Sequence, residues 1–218
     1  MSDPTAASSG LFGELFAGAA VTRQVEDRAW LQALLDAEAA LARAQAGLGL
    51  VPSAAAEEIS AAAQADRFDI ASIGQRAGAS GNPVVPLVHD LRAAVSTEAA
   101  RHVHLGATSQ DILDTAMVLV ARRALGAVLA DLDAVAARCA QLADTHRDTL
   151  VAARTLMQQA APTSFGLKAA GWLVAVDEAR VLLDGVRRRC LAVQLGGAAG
   201  NLAGLGPDGP RVVAALSS

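Results

Sequence analysis

The sequence predicts an all-α protein. A small helical N-terminal domain spans residues 1–105, and residues 106–218 form long helices of a central bundle that is incomplete at its C-terminal end. Three observations carry this expectation. The first is composition: 53% of the 218 residues are hydrophobic, 52 are Ala, aromatics make up 3% and there is no Tyr. Ala and Leu with interspersed Arg and Glu favour helix, whereas sandwiches and barrels draw on β-branched and aromatic residues. The second is a seven-residue repeat: from Ser109 to about His146 only Gly126 interrupts, and Val118, Ala121, Leu125, Val128, Leu132, Val135, Cys139 and Leu142 recur at alternating spacings of three and four. The third is a second such stripe from Pro162 to about Arg189, carried by Phe165, Ala169, Trp172, Val176, Ala179, Leu183, Val186 and Cys190.

The elements follow in order. Residues 1–22 read as a small, Gly-rich opening segment. Residues 24–47 read as an amphipathic helix, with Trp30, Leu31, Leu34, Leu35, Glu38 and Leu41 at helical spacing and Gly47 and Gly49 ending it. Pro52-Ser53 opens a second helix. Asp69 caps a third that ends near Gly78. Ser80-Gly81-Asn82-Pro83 is a loop, because Gly and the residue before Pro both resist helix. Val84 to Val95 is another helix. The rod from Ser109 would be on the order of 55 Å long, too long to bury its stripe within a small globule, so it calls for long partner helices. Pro162 suits the first turn of the second rod. Leu191 to Leu205 is Gly-rich, and its glycines suit close helix packing. Pro207 to Ser218 reads as the start of a further helix, cut short.

Net charge is −4, so there is no global basic signature for nucleic acid. Lys168 is the only lysine. Cys139 and Cys190 make neither a disulfide framework nor a metal motif; each falls on an apolar stripe and reads as a buried core thiol. No pair of His, Cys or carboxylates has metal-ligand spacing. No uninterrupted apolar run approaches the roughly 20 residues of a membrane span, and the N-terminus lacks the basic region of a signal peptide. The expected compartment is the cytoplasm.

Candidate chemistry lies between the rods. In His104-Leu105-Gly106-Ala107-Thr108-Ser109-Gln110-Asp111, Gly106 lets the chain turn and Thr108 or Ser109 can cap the long helix. The amides of that helix start, the hydroxyls and a nearby imidazole suit a carboxylate; a plain N-cap beside a solvated His is the alternative. Asp111 and Asp114 read as partners of the helix dipole. Arg154-Thr155-Leu156-Met157-Gln158 joins a guanidinium, a hydroxyl and a side-chain amide ahead of the second rod, either as further donors or as an ordinary loop. Ser80 and Asn82 form a polar turn. His89 and His146 read as ordinary surface or packing residues.

His104 to Ala116, and Arg154 to Gln158 with Pro162 to Lys168, resemble the first and second signatures of the fumarase/aspartase superfamily. Glu38 to Ala44, Ser80 to Leu87 and Gln194 to Gly197 extend the resemblance to its 3-carboxy-cis,cis-muconate cycloisomerase branch, over nearly all of the chain. The resemblance implies reversible lactonisation of a tricarboxylate in aromatic-acid catabolism, without metal or organic cofactor, by a homotetramer whose rods form a central bundle. It implies that Thr108, Ser109 and Gln110 bind and polarise a carboxylate, that His104 carries a proton, that Arg154, Thr155 and Gln158 supply further donors, and that Ser80 and Asn82 close the pocket. Two departures stand out. Adenylosuccinate lyases and fumarases carry an acid histidine after the Arg-Thr of the second signature, where this chain has Leu156; an intramolecular cyclisation has no departing amine to protonate. The third signature, a mobile loop with Ser-Ser, Met-Pro and Lys-x-Asn that supplies the base, is absent, so the expectation is an N-terminal portion with little activity alone. An adenylosuccinate-lyase-like enzyme and a non-catalytic helical oligomerisation subunit are the alternatives.

Overall fold

The computed structural model of the protein describes residues 18–217. Most of the expected opening segment, and the stretch on which the signal-peptide reading rests, lie outside the described residues. The described chain is predominantly helical, as expected, with one small sheet. It falls into two compact units: one runs up to Ala124 and resumes at Ala192, and the other spans Leu125–Leu191.

In the first unit the helix expected over 24–47 is two. Glu26 is extended (φ −72°, ψ 161°) and separates α1 (Ala19–Val25) from α2 (Asp27–Gly47). α3 (Ser53–Ala62) starts after Pro52 as expected, and a short 3₁₀ turn follows at Ala65–Arg67. Asp69 caps α4 (Ile70–Ser80), its side chain accepting from Ser72 N at 3.0 Å. α5 is Val84–Ala93, shorter than expected. It is followed by a one-turn helix, α6 (Thr97–Ala100), capped by Ser96, which is itself held by Glu58 through its N–H (2.5 Å) and hydroxyl (2.8 Å). The first part of α7 (Ser109–Thr145, 37 residues) completes this part of the unit. The core gathers Leu34 and Leu35 of α2, Ile59 of α3, Leu87 and Leu91 of α5, Val103, and Ile112, Ala116 and Val120 of α7. After residue 192 the chain adds a 3₁₀ segment (Ala203–Asp208) and α9 (Gly209–Leu216), where Val212 packs with Leu41 and Leu195.

The second unit holds the rest of α7, a hairpin and α8 (Phe165–Arg189). The hairpin corrects the sequence reading. β1 (Leu150–Thr155) and β2 (Gln158–Ser164) pair antiparallel. Pro162, expected in the first turn of a helix, lies in β2 opposite Ala152; a strand without a second neighbour tolerates its missing N–H. Ser164 caps α8 instead, accepting from Leu167 N at 3.1 Å. Gly166 lets α8 approach the end of α7: a Cβ there would fall 2.6 Å from the Ala143 carbonyl oxygen and 2.8 Å from Arg147 Cα. Cys139 is buried as expected, but Cys190 is exposed, because α8 ends at Arg189 and leaves it past the packed stripe. Val135, Trp172 and Val186, all on the expected stripes, are exposed within this chain, as are Val181 and Leu182.

Candidate active site

The start of α7 is held by its own third residue. Thr108 occupies the N-cap position, and Asp111 turns back to accept from Thr108 N through Oδ2 at 2.9 Å, half of a capping box. The same carboxylate, 2% exposed, accepts from Gly196 N through Oδ1 (2.8 Å) and from Gly197 N through Oδ2 (2.9 Å). One turn on, the Thr115 hydroxyl donates to Gln194 O (3.1 Å) and accepts from Gln194 N (3.0 Å). Asp111 and Thr115 thus stitch the 194–197 loop to the first turns of α7. Asp111 is more than a dipole partner, and the Gly196-Gly197 pair, expected to permit close helix packing, serves to present two N–H groups to a carboxylate.

Asp111 N bonds the Thr108 carbonyl oxygen rather than its hydroxyl, and the hydroxyls of Thr108 and Ser109 are engaged by no protein group among the described residues. Gln110 is exposed and donates to Asp114 Oδ1 at 2.7 Å. Gly106 (φ 76°) makes the preceding turn against Leu205; a Cβ there would lie 2.6 Å from Leu205 Cγ.

Beside this turn lies a cleft of about 490 Å³. Val84, Val85 and Val88 of α5 form its apolar wall, and His89, Arg92, His104 and Ser109 supply its polar groups. His104 is half-buried, has φ 63°, and places Nδ1 2.6 Å from Oε1 of the fully buried Glu38. Arg92 donates to Val103 O at 3.0 Å, which ties α5 to the turn. His89 stands 3.2 Å from Asp90 Oδ1 through Nδ1. Asp90 is itself bound by both terminal nitrogens of Arg76, and this hydrogen bonding, opposed by burial and aided by His89, holds its carboxyl below the usual aspartate range. The acid beside His89 is thereby neutralised by Arg76, and the acid behind His104, Glu38, faces that imidazole rather than the cleft. Arg92, two imidazoles and the N-terminal end of α7 remain, an arrangement suited to an anion bearing more than one carboxylate.

Sequence reading passes over Arg92 and treats His89 as ordinary. The signal is present: Val85, His89 and Arg92 recur at spacings of four and three, one face of α5. Ser80 and Asn82 spend their polar atoms within their own turn. Asn82 Oδ1 accepts from Val84 N (3.0 Å) and Val85 N (3.3 Å), and Ser80 Oγ donates to Asn82 O (2.8 Å). They fix the start of α5 and so the wall of the cleft.

Arg154, Thr155 and Gln158 belong to the second unit. Arg154 and Thr155 close β1 and Gln158 opens β2, with Thr155 opposite Gln158. Between them Leu156 and Met157 form a two-residue turn with φ 43° and 63°; they are 90% and 100% exposed. Among the described residues no group of three His, Cys, Asp or Glu could hold a metal ion, and no helix is long and apolar enough to cross a membrane.

A family model described as lyase matches residues 15–218. This chain belongs to that lyase family. Its similarity to a nitrosuccinate lyase of Streptomyces davaonensis is 51% identity over 199 residues, covering 90% of this chain and 42% of the relative. To a 3-carboxy-cis,cis-muconate cycloisomerase of Bradyrhizobium diazoefficiens it is 46% over 214 residues, covering 97% and 48%. The crystal structure of 3-carboxy-cis,cis-muconate lactonizing enzyme from Pseudomonas putida superposes with a TM-score of 0.92 at 44% identity, covering 94% of this chain and 47% of that one. The chain therefore spans about half the length of the relatives it matches. The match to such lyases accords with the helical architecture of the described residues.

Proposed function

We propose that the whole protein is a 3-carboxy-cis,cis-muconate cycloisomerase and that this chain carries its carboxylate-binding half. The observation that carries the reading is the cleft, where Arg92, His89, His104 and the free Ser109 hydroxyl converge at the N-terminal end of α7. In the forward reaction one substrate carboxylate oxygen adds to a C=C carbon. The displaced electron pair collects on a conjugated carboxylate as an enediolate, and a proton is then added to carbon; no atom is lost. The protein's task is to hold several carboxylates and stabilise the growing charge, as an oxyanion hole does. Thr108, Ser109 and Gln110 are assigned to that charge, His104 to the proton, and Arg154, Thr155 and Gln158 to further donation. Ser80 and Asn82 are assigned to closing the pocket. The reaction uses side chains alone, without metal or organic cofactor.

The division into an N-terminal domain over 1–105 and a bundle domain from 106 belongs to the same proposal, as does a cytoplasmic homotetramer. Exposed Trp172, Val181, Leu182 and Val186 on α8 support assembly. Sedimentation at micromolar concentration is expected to show more than a monomer, and a folded monomer defeats the tetramer.

A second reading, a lyase acting on nitrosuccinate, is favoured by the 51% identity to such an enzyme. Leu156 does not weigh against it, because nitrite, a weak base, leaves carbon without an acid to protonate it. The test is direct: the full-length protein is supplied with each substrate, and loss of muconate ultraviolet absorbance is compared with nitrite release. Rapid nitrite release with no muconate turnover overturns the cycloisomerase.

A further inference from the structure

Three departures from ordinary folding rules meet at one residue. Glu38 lies on the buried face of α2 among Leu34, Leu35, Leu41 and Ala42, yet it is a carboxylate, 1% exposed. Burying a charge is costly unless it is paired. Its Oε2 is buried without a hydrogen-bond partner among the described residues, and Oε1 meets one group, His104 Nδ1 at 2.6 Å. His104 in turn holds a left-handed backbone (φ 63°) that a residue with a Cβ adopts at a cost. That backbone is fixed from the neighbouring residue, where Gln45, one face of α2 further along and fully buried, donates to Leu105 O at 2.7 Å. The imidazole so placed lines the cleft with Ser109 and Arg92. Violations of local rules that converge in this way mark function rather than packing.

We infer that Glu38 is a positioning residue that sets the tautomer of His104. An ionised carboxylate only accepts hydrogen bonds, so the 2.6 Å contact requires the hydrogen on Nδ1. In the neutral ring Nε2 then keeps its lone pair, and Nε2 has no protein partner among the described residues. It is the nitrogen left to accept a proton from substrate, or to return one. A free imidazole prefers the opposite tautomer, with the hydrogen on Nε2, and would present a donor where the lactone-opening direction needs an acceptor. The logic is that of a buried acid behind a catalytic histidine. Its consequence for turnover rests on the proton-carrier reading of His104 proposed above; the tautomer itself does not.

The chain has four histidines, so long-range ¹H–¹⁵N spectra of the ¹⁵N-histidine-labelled chain resolve each ring. In the wild-type chain, at a pH where the ring is neutral, His104 is expected to be hydrogenated on Nδ1 with Nε2 bare. In Glu38→Leu it is expected to revert to an Nε2–H majority. Leu suits its apolar neighbours and removes the unpaired Oε2 with the charge, but it leaves His104 Nδ1 without its partner, so the variant should fold with a lower melting temperature than the parent. Glu38→Met, more pliable, repeats the test. An Nε2–H majority in the wild-type chain, an unchanged tautomer in folded Glu38→Leu, or loss of fold in both variants overturns the assignment. In the full-length enzyme, Glu38→Leu should lower kcat while leaving KM within a few-fold, and its loss should not add to that of His104→Gln. If His104→Gln keeps full turnover, the proton-carrier reading fails while the spectrum still decides the positioning role; additive losses in kcat overturn the coupling between the two residues.

Discussion

Replacing Asp111 by Asn tests whether the α7 start and the 194–197 loop are one mechanical unit. The carboxylate accepts three backbone N–H groups, from Thr108, Gly196 and Gly197, at 2.8 to 2.9 Å. An amide of the same shape offers one oxygen. Its best orientation keeps that oxygen in the Oδ2 position, serving Thr108 and Gly197, and turns the NH₂ toward the N–H of buried Gly196. One charge-assisted bond is lost, a buried donor faces another donor, and the two surviving bonds become neutral. Bonds to charged groups contribute about 1.5–3 kcal/mol, and an unsatisfied buried group costs about 1–3. Since the terms overlap, the expected loss is about 2–4 kcal/mol. At roughly 2–4 °C per kcal/mol for a chain of this size, Tm should fall by roughly 5–15 °C. Thermal unfolding by circular dichroism reads this directly. Asp114→Asn, whose partner Gln110 is exposed, is the control and should stay within about 0.5 kcal/mol. If the two variants melt together, the clip holds nothing and the reasoning fails.

Further outcomes rest on the same geometry. Gly106→Ala should destabilise by about 1–3 kcal/mol, from its positive φ and the overlap with Leu205; an unchanged denaturant midpoint would show that the turn relaxes freely. The Arg76–Asp90 pair should make stability acid-sensitive. Asp90 is held below its ordinary value, so its contribution is complete above about pH 4, the unfolded aspartate range, and disappears as pH falls through the lower folded value. Asp90→Asn should melt a few degrees lower at neutral pH and converge with the parent in acid, and a gap that persists in acid would refute the linkage. Ser109→Ala in the full-length enzyme should lower turnover a hundredfold or more, the worth of an oxyanion donor. Its stability should shift by less than the roughly 1 kcal/mol of a lost cap, because Ser109 lies one residue past the Thr108 N-cap and its hydroxyl engages no protein group among the described residues; equal losses in activity and stability would make Ser109 structural.

Periodicity makes the long helices legible. α7 runs Ser109–Thr145 against an expected Ser109 to His146, because a seven-residue apolar repeat has few other solutions. The hairpin is hidden for a physical reason. Two-residue hairpin turns with positive φ at both positions favour Asn-Gly or Asp-Gly, and Leu156-Met157 carries neither signal. Gly196-Gly197 misleads because the acceptor that explains it lies far back in the chain, and no local pattern reports a partner at that separation. The candidate site is half visible: the hydroxyls and His104 stand in a recognisable run. Arg92 and His89 lie on an unremarkable helix, and Glu38 passes in sequence for one more position on an amphipathic face.

The first compact unit is interrupted in sequence, since its part up to Ala124 is completed only by residues from Ala192 onward. On a ribosome adding about 5–20 residues per second, the early part waits on the order of ten seconds for that completion. During the wait Asp111 has only Thr108 of its three donors, and the Leu41 surface lacks Leu195 and Val212. Closing so long an intervening segment costs little more entropy than closing one half its length. The delay is therefore one of synthesis, and the nascent chain is most exposed to proteases and holdases after Ala124 has emerged and before Val212 has.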